Sequence, residues 1–420
     1  MSGHRDTVDI AIVGAGVIGL ASALRLLEDG REVLLIDPQE PGSGASFGNA
    51  GTIAPYGCVP VGTPDVLRSL PQLLFGRESP FSMPLAAAPA MLPWLWRFLR
   101  ASTPEAATAG ADALAALLVH AGPAWERRWE ALQCEDLIRR AGCLYLYREP
   151  PSTRAFDFQL RERHGVHQQL LSPAEVAGLE PALASSPRHG LFFPDAMHLA
   201  SPAALMQRMF AEAQRRGARH VRARAVDLRA DGTGAALQLE HGDGRRESLR
   251  AGTVVIAAGA HSRALAQQAG EAVPLDTERG YHLEYAFDTP PLQRPVCPVE
   301  RGFYMTPMAG RLRVAGTVEL GGTTRPADPQ RWALLDRGAR SLFPGLPVAS
   351  SQWLGFRPSV PDSVPVIGRA RGVRAALLAF GHGHLGLTLA AVTADLVAAE
   401  VAGHADPALL AACTPRRFNR

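Results

Sequence analysis

The stretch VDIAIVGAGVIG at residues 8–19 constrains the fold of this chain most strongly. An apolar strand over residues 8–13 runs directly into the glycine pattern GAGVIG of residues 14–19, and a helical stretch and a second strand follow. In such a unit the glycines permit a tight turn, a close approach of a pyrophosphate to the backbone and close helix–strand packing. The order of these features predicts a dinucleotide-binding βαβ unit rather than an isolated glycine-rich turn.

The second strand of this unit ends on Asp37. A carboxylate at this point accepts hydrogen bonds from both hydroxyls of a ribose, while the helix N-terminus directs free N–H groups and a positive dipole end at the phosphates. The predicted contacts with the dinucleotide in this unit are Gly14, Ala15, Gly16, Val17, Ile18, Gly19, Asp37 and Pro38.

The basic residues of the chain exclude several kinds of chemistry. All 43 are arginine, and the chain contains no lysine. Schiff-base and pyridoxal-phosphate chemistry need a lysine amine, and a P-loop ATPase needs its lysine. A net charge of +3 is too small to indicate nucleic-acid binding. The cysteines are odd in number and show no metal-ligand spacing, which favours a reducing, cytoplasmic environment.

Membrane association has one candidate stretch. Met1 to Thr7 do not resemble a signal peptide, and no uninterrupted run of eighteen apolar residues predicts a membrane span. Residues 85–99, LAAAPAMLPWLWRFL, are rich in aromatic side chains. They predict either a helix buried in the core or between domains, or a patch that contacts a partner subunit or the inner face of the cytoplasmic membrane.

Strand–turn–helix patterns lie at both ends of the chain, and alternating strands lie between them. An apolar strand and small-residue turn at 253–261, and a strand, glycine turn and alanine-rich helix at 375–401, surround a β-rich block at 274–352. The pattern predicts an α/β protein with a discontinuous cofactor domain into which a second domain is inserted. Helices are also expected at 105–120 and 123–133.

Four motifs in this order carry a specific resemblance. They are VDIAIVGAGVIG at the start, GTVVIAAGAHS at 252–262, GFRPSVPDSVPVIG at 355–368 and FGHGHLGLTLAAVTADLVA at 380–398. Together they resemble the D-amino-acid oxidase and dehydrogenase superfamily of flavoproteins. Within it, SFGNAGTIAP at 46–55 is similar to bacterial D-amino-acid dehydrogenases and D-hydroxyproline dehydrogenases. Residues 60–190 carry little of the resemblance.

The resemblance implies non-covalent FAD and a two-domain α/β flavoprotein. Its Rossmann-like FAD domain would have a glutathione-reductase-type fold, and its substrate domain an antiparallel sheet. The expected bounds are 1–84, 199–265 and 355–420 for the FAD domain, and 85–198 and 266–354 for the substrate domain. Beyond the βαβ unit, the implied FAD contacts are Gly44, Ala45, Ser46, Asn49, Ala50, Gly51, Val226, Ala257, Ala258, Gly259, Arg357, Gly381, His382, Gly383, His384, Leu385, Gly386, Leu387 and Thr388.

The last of these segments opens a helix, whose positive end would face the flavin and stabilise its anionic reduced form. His382 and His384 in the same turn also raise the question of a metal. Two histidines without a carboxylate or cysteine at ligand spacing make a poor metal site, so a position along the flavin is favoured and no metal is expected.

Arginine is the natural partner of a substrate carboxylate, because its guanidinium binds both oxygens. Arg357 matches the arginine of the family's G-x-R-P motif, which clamps the carboxylate in relatives, and Arg279 resembles a second such arginine. The candidate hydroxyl donors are Tyr281 and Tyr304. His282 or Asn49 would border the substrate amine, and His282 or a water would take its proton.

The implied reaction is hydride transfer from the α-carbon of a D-amino acid to flavin N5, with D-proline or D-hydroxyproline as the favoured substrate. Several relatives that react with oxygen place a lysine near N5, although oxidases without this lysine exist, so its absence here favours a dehydrogenase. The reduced flavin of such a dehydrogenase would pass its electrons to a quinone, or to a partner flavoprotein or iron–sulfur subunit. The alternatives are a sarcosine- or glycine-oxidase-like enzyme, a flavin subunit of an electron-transfer complex and, more remotely, an NAD-binding protein.

Overall fold

The computed structural model describes residues 7–76 and 78–418. The N-terminal segment in which no signal peptide is expected lies outside the described residues, apart from Thr7. The helices are α1 (Val17–Glu28), α2 (Pro64–Phe75), α3 (Ala88–Ala101), α4 (Pro104–Leu132), α5 (Phe156–Arg163), α6 (Pro173–Leu179), α7 (Pro202–Arg215), α8 (Arg263–Gln268), α9 (Pro329–Arg340), α10 (Gly386–Ala402) and α11 (Pro407–Cys413).

The strands fall into three sheets. They are β1 (Thr7–Val13), β2 (Val33–Ile36), β3 (Thr52–Ile53), β4 (Phe81–Ser82), β5 (Ile138–Arg139), β6 (Cys143–Tyr147), β7 (Gln169–Leu171), β8 (His189–Phe193), β9 (Met197–Leu199), β10 (Arg219–Val221), β11 (Ala223–Asp231), β12 (Gly234–His241), β13 (Arg246–Ile256), β14 (Asp276–Ala286), β15 (Val296–Pro298), β16 (Phe303–Met308), β17 (Arg311–Leu320), β18 (Ser351–Ser359), β19 (Val366–Arg369) and β20 (Ala376–Phe380).

The first sheet is built on parallel strands from both ends of the chain. Its order is β10-β2-β1-β13, with β20 also parallel to β13 and β11-β12 continuing as an antiparallel meander. Because alternate side chains of a strand point to opposite faces, Ile10 and Ile12 join one apolar cluster while Ala11 and Val13 join another. Both faces of β1 are therefore buried, with α1 and α10 covering one of them.

The second sheet is mostly antiparallel and has the order β18-β14-β17-β16-β15-β6-β8-β7. Helix α9 packs on β14 and β17, and the apolar cluster beneath it includes Tyr285, Leu335 and Leu342. A small third sheet, β3-β9-β5, forms no strand pairs with these two. The predicted α/β class, with one Rossmann-like parallel sheet and one antiparallel sheet, is confirmed. The exact domain bounds stay a prediction.

Helix α4 corrects one expectation. The sequence predicts separate helices at 105–120 and 123–133, but a single helix continues through Pro123. A proline inside a helix removes one backbone hydrogen bond and usually interrupts it. Here tertiary packing prevails: the indoles of Trp125 and Trp129 stack at 4.2 Å in the core, and Trp125 Nε1 donates to the carbonyl of Leu387 at 3.0 Å.

Helix α10 has the length and hydropathy of a candidate membrane span. Over Gly383–Ala402 the mean hydropathy is 1.7, although Asp395 and Glu400 interrupt the apolar run. However, 61% of this window is buried inside the protein, where α10 packs between α1 and α4. These contacts are those of a core helix.

Helix α3, within the aromatic stretch at residues 85–99, is buried on one face and exposed on the other. Met91 and Trp94 are buried, whereas Leu92 and Trp96 are more than half exposed. One face of the helix therefore packs on the protein, and the other presents apolar side chains at its surface.

Candidate functional site

One elongated cavity of about 1290 Å³ joins the glycine turn of the first sheet to the edge of the second sheet. Its walls come from the turn between β1 and α1, the loop at 42–61, β11, the turn after β13, strands β14 and β16–β18, and the turn before α10. The cavity thus gathers segments that are hundreds of residues apart in the sequence.

The glycine turn has the close contacts that its pattern predicts. Gly14 has a φ of +107°, and a Cβ atom there would lie 2.4 Å from the carbonyl oxygen of Ala257. A Cβ atom on Gly19 would lie 1.9 Å from the carbonyl oxygen of Gly14. Any side chain at either position would therefore push β1, β13 and α1 apart.

Two of the backbone N–H groups at the start of α1 already have protein partners. Ala15 N–H donates to Asp37 Oδ2 at 2.8 Å, and Val17 N–H donates to Ser46 Oγ at 2.9 Å. Asp37 Oδ1 accepts from Gln39 N–H at 2.9 Å. Asp37 is consequently held by the turn itself, and each carboxylate oxygen keeps a lone pair for a ribose hydroxyl.

Val226 occupies a bulge in β11. The pairing with β12 skips this residue, because Ala225 is opposite Leu239 and Asp227 is opposite Gln238. Its carbonyl accepts from Gln268 Nε2 at 3.3 Å, and its backbone lies outside the β11–β12 ladder in a strand that lines the cavity, a position suited to meet the edge of an adenine base.

The loop at 42–51 is ordered by its own hydrogen bonds. Asn49 Nδ2 donates to the carbonyl of Ser46 at 2.8 Å, and Asn49 Oδ1 accepts from Gly51 N–H at 2.7 Å. The buried guanidinium of Arg313 donates to the carbonyls of Phe47 and Asn49. The Asn49 amide is therefore engaged in shaping the loop.

In the turn before α10 the histidines point to different partners. His382 is fully buried, and its Nε2 lies 2.9 Å from Thr393 Oγ1, so desolvation lowers the pKa of the imidazole to about 3. His384 Nε2 lies 2.7 Å from Glu278 Oε2 on β14. Gly381 and Gly383 both have positive φ, which allows this tight turn at the cavity wall.

Arg357 on β18 faces the cavity and is held by backbone. Its Nη1 donates to the carbonyl of Thr317 at 2.8 Å, and Nη2 has no hydrogen-bond acceptor among the residues that the structure describes. A Cβ atom on Gly280 would lie 2.4 Å from the guanidinium carbon. Burial lowers the pKa of this guanidinium, and the nearby Glu278 opposes that effect.

Thr317 supports Arg357 from an unusual conformation. Its φ of +60° is rare for a β-branched residue. It lies where the register of β14 and β17 shifts between Arg279 and Tyr281, so the carbonyl turns out of the ladder toward Arg357. Backbone strain of about 1–3 kcal/mol at such positions is typical of functional sites.

The other predicted substrate residues of β14 lie away from the carboxylate position. Arg279 is fully buried, 3.1 Å from Glu319, and donates to the carbonyls of Arg325 and Pro326. Tyr281 lines the cavity, but its hydroxyl donates to Glu319.

His282 lies on the other face of β14 from Arg279 and Tyr281, because side chains alternate along a strand. Its ring stacks on Trp353, and its Nδ1 lies 3.0 Å from the carbonyl of Gly48. Burial lowers the pKa of this imidazole to about 4. Neither Arg279 nor His282 lines the cavity, so their positions give no support to the predicted contacts with a substrate.

Tyr304 belongs to a cluster of phenols that the sequence does not reveal. Its hydroxyl lies 2.7 Å from that of Tyr145 and 3.4 Å from that of Tyr56, which donates to Cys143. Burial raises the pKa of all three phenols, so they remain neutral hydrogen-bonding groups. Tyr56, Tyr145 and Tyr304 all line the cavity.

Most predicted site residues meet at this cavity. Those that do not line it are Ala15, Gly19, Arg279, His282, Gly381 and Thr388. Cavity-lining residues that the sequence analysis missed include Tyr56, Tyr145, Glu278, Gly280 and Thr317. Glu278 and Gly280 flank the predicted Arg279, so alternation along β14 is the signal that would have found them.

The parallel sheet, the tight glycine turn, the acidic residue at the end of β2 and the long cavity define a dinucleotide-dependent oxidoreductase of the flavoprotein type. The profile of the DAO family, described as FAD dependent oxidoreductase, matches residues 9–400. The chain belongs to this family, and its cofactor is FAD.

Relatives of similar length include a D-amino-acid oxidase of Bradyrhizobium diazoefficiens, 33% identical over 97% of this chain and 98% of the relative. A D-amino acid dehydrogenase of Rhizorhabdus wittichii is 31% identical over 95% of this chain and 97% of the relative. Both similarities extend over almost the full length of the proteins.

Solved structures share the fold at lower identity. Glycine oxidase from Geobacillus kaustophilus superimposes with a TM-score of 0.71 at 23% identity, covering 96% of this chain and 98% of that one. L-proline dehydrogenase from P. horikoshii has a TM-score of 0.72 at 18% identity and covers 99% of both chains.

Replacing Asp37 by alanine is expected to weaken FAD binding about tenfold or more, because charged hydrogen bonds contribute about 1.5–3 kcal/mol. The measurement is FAD retained after dialysis, read from the flavin absorbance. Asp195→Ala, an exposed carboxylate outside the cavity, is the control. Equal FAD retention in both variants would contradict the predicted ribose contact.

Proposed function

We propose that this flavoenzyme oxidises a D-amino acid by removing a hydride from the α-carbon, giving an imino acid. The observation that carries the proposal is Arg357, whose guanidinium faces the cavity with Nη1 held by Thr317 and Nη2 without an acceptor in the described part of the chain. A cationic group fixed in this way suits a carboxylate, which accepts charge-assisted hydrogen bonds from a guanidinium.

The protein mainly orients the substrate. Bound FAD supplies a two-electron acceptor for the hydride. Arg357 would fix one end of the substrate, so that rotation about that end is restricted and the α-hydrogen is presented in a constant direction. Burial of the clamp strengthens its attraction for an anion, because water no longer screens the charges.

The phenol cluster would receive the substrate side chain. Two strands, β14 and β17, separate Arg357 on β18 from Tyr304 on β16 within the sheet, so the clamp and the cluster border different parts of the cavity. Neutral phenols combine an apolar ring with a hydroxyl partner. This suits a compact cyclic side chain such as that of D-proline or D-hydroxyproline. The names of the relatives support the D configuration.

The alternative is an amine oxidation of the sarcosine or glycine oxidase kind. The fold shared with a glycine oxidase supports this alternative. It predicts a preference for substrates without a side chain, which would leave the phenols without a partner.

The acceptor is proposed to be a membrane quinone or a partner redox subunit rather than oxygen. The chain has no lysine, so it lacks the ammonium group that assists oxygen in related oxidases. The exposed Leu92 and Trp96 on α3 lie beside Arg97 and Arg100, a combination suited to the interface of an anionic membrane. A cytoplasmic enzyme bound peripherally to the inner face of the membrane would place this face of α3 at the lipid surface and bring the enzyme close to a membrane quinone.

The substrate proposal is tested by anaerobic mixing with paired D- and L-amino acids, including both hydroxyproline isomers. D isomers should bleach the flavin, and Arg357→Gln should raise KM about tenfold to a hundredfold through the loss of a charged hydrogen bond. Arg374→Gln, an exposed arginine, is the control. Bleaching by L isomers alone, or an unchanged KM in Arg357→Gln, would contradict the proposal.

The acceptor proposal is tested with anionic vesicles that contain a quinone. The reduced enzyme should transfer electrons to the quinone much faster than to oxygen, and Trp96→Ala should slow this transfer without changing the reaction with a water-soluble dye. Val119→Ala, which removes another exposed apolar side chain, is the control. Oxygen as the faster acceptor, or equal quinone rates in all three proteins, would count against it.

A further inference from the structure

An ionisable pair in the cavity wall has no part in the function proposed above. His384 Nε2 lies 2.7 Å from Glu278 Oε2, and both side chains line the cavity. The two differ in accessibility, since the side chain of Glu278 is 5% exposed and that of His384 is 42% exposed. The imidazole therefore stands between the buried carboxylate and the open cavity.

This pair is adjacent to the carboxylate clamp. Glu278 on β14 is directly opposite Arg357 on β18 in the pairing of the two strands. A cation that suits a carboxylate and an anion–imidazole pair that suits an ammonium group thus lie side by side. The arrangement matches the two charges of an α-amino acid, which are separated by one carbon atom.

The charge of Glu278 is maintained despite its burial. Burial by itself would raise the pKa of the carboxyl group, but His384 and Arg357 outweigh it and hold the pKa below its ordinary value. Glu278 accordingly remains a carboxylate and is a hydrogen-bond acceptor for the neighbouring imidazole.

We propose that His384 is a catalytic residue that accepts a proton from the α-ammonium group of the substrate, and that Glu278 is a positioning residue that orients and stabilises it. This inference rests on the proposed function, because it requires an amino-acid substrate with its carboxylate on Arg357.

The proton and electron balance of the step is simple. An N–H bond of the ammonium group breaks, its proton forms a bond to His384, and the electron pair of that bond stays on nitrogen. The α-hydrogen would then leave as a hydride, for which bound FAD would supply the two-electron acceptor, and the nitrogen lone pair would form the carbon–nitrogen double bond. The proton on His384 returns to water as the product leaves.

Other titratable groups at or near the cavity are poorly placed for this role. His382 is hydrogen-bonded to Thr393, and His282 is stacked on Trp353 with Nδ1 near the carbonyl of Gly48 and does not line the cavity. The phenols of the tyrosine cluster are neutral and have no proton-accepting charge. The ionisable groups around His384 include Glu278, its hydrogen-bond partner, Arg357, which is opposite Glu278 in the strand pairing, and His382 in the same turn.

The test compares His384→Gln and His384→Asn with the wild type in anaerobic rapid mixing with a D-amino acid between pH 6 and pH 10. Loss of a general base typically costs a factor of about 10²–10⁴. Both variants are expected to reduce FAD about a hundredfold more slowly at pH 7 and to recover toward the wild-type rate at high pH, where the free amine binds.

Glu278→Gln keeps a hydrogen-bonding side chain beside His384 but removes the charge. It is expected to move the midpoint of the pH–rate profile downward relative to the wild type, because an imidazolium loses its proton more readily when the neighbouring carboxylate is replaced by a neutral amide. The matched control is the His241–Glu247 pair, which has the same Nε2–Oε2 contact at 3.0 Å but lies outside the cavity. His241→Gln and Glu247→Gln should retain the wild-type profile.

Binding of propionate, a carboxylate without an amine, gives a readout that does not depend on turnover. Its dissociation constant, measured from the shift in flavin absorbance, should be unchanged in the His384 variants if the clamp is intact. Wild-type rates in both variants, or a loss of rate that high pH does not restore, would overturn the inference. If no amino acid reduces even the wild-type flavin, the proposed function itself fails.

Discussion

The contact between the Arg357 guanidinium and the bare backbone of Gly280 determines the geometry of the substrate end of the cavity. Any larger residue at position 280 would occupy the place of the guanidinium, since a Cβ atom would lie 2.4 Å from its carbon. The carbonyl of Thr317, turned outward by a strained bulge, then fixes Nη1. Sheet register, a missing side chain and local strain together place one charge where a substrate carboxylate can reach it.

At the nucleotide end, glycines without side chains again allow close contacts. Gly14 and Gly19 let the turn after β1 touch Ala257 and α1, and Asp37 is anchored by the N–H group of Ala15 before any ribose binds. Both ends of the site are therefore preorganised by protein–protein contacts. The cofactor and the substrate would bind to a cavity whose polar groups already have fixed positions, which reduces the entropy lost on binding.

Local pattern predicts the nucleotide end well and the substrate end only in part. The glycine turn, its acidic residue and the parallel strands follow from short-range periodicity, and the family profile confirms the FAD-dependent class. The roles within β14 could not be assigned, because alternation shows that Arg279 and Gly280 face opposite sides but not which side faces the cavity. Tyr56 and Tyr145 come from segments without a recognisable motif, and only the tertiary fold brings them to Tyr304.

The most direct test of this account is the KM of Gly280→Ala for a D-amino acid that reduces the wild-type flavin. Gly280 carries no functional group, so its replacement acts on the site only through the position of Arg357. The account predicts a KM at least about tenfold higher, with FAD content and melting temperature unchanged, since a displaced guanidinium loses a charged hydrogen bond of about 1.5–3 kcal/mol. Gly242→Ala, where a Cβ atom meets no atom within 4 Å, is the matched control. A wild-type KM in Gly280→Ala would contradict the assignment of Arg357 as the carboxylate clamp.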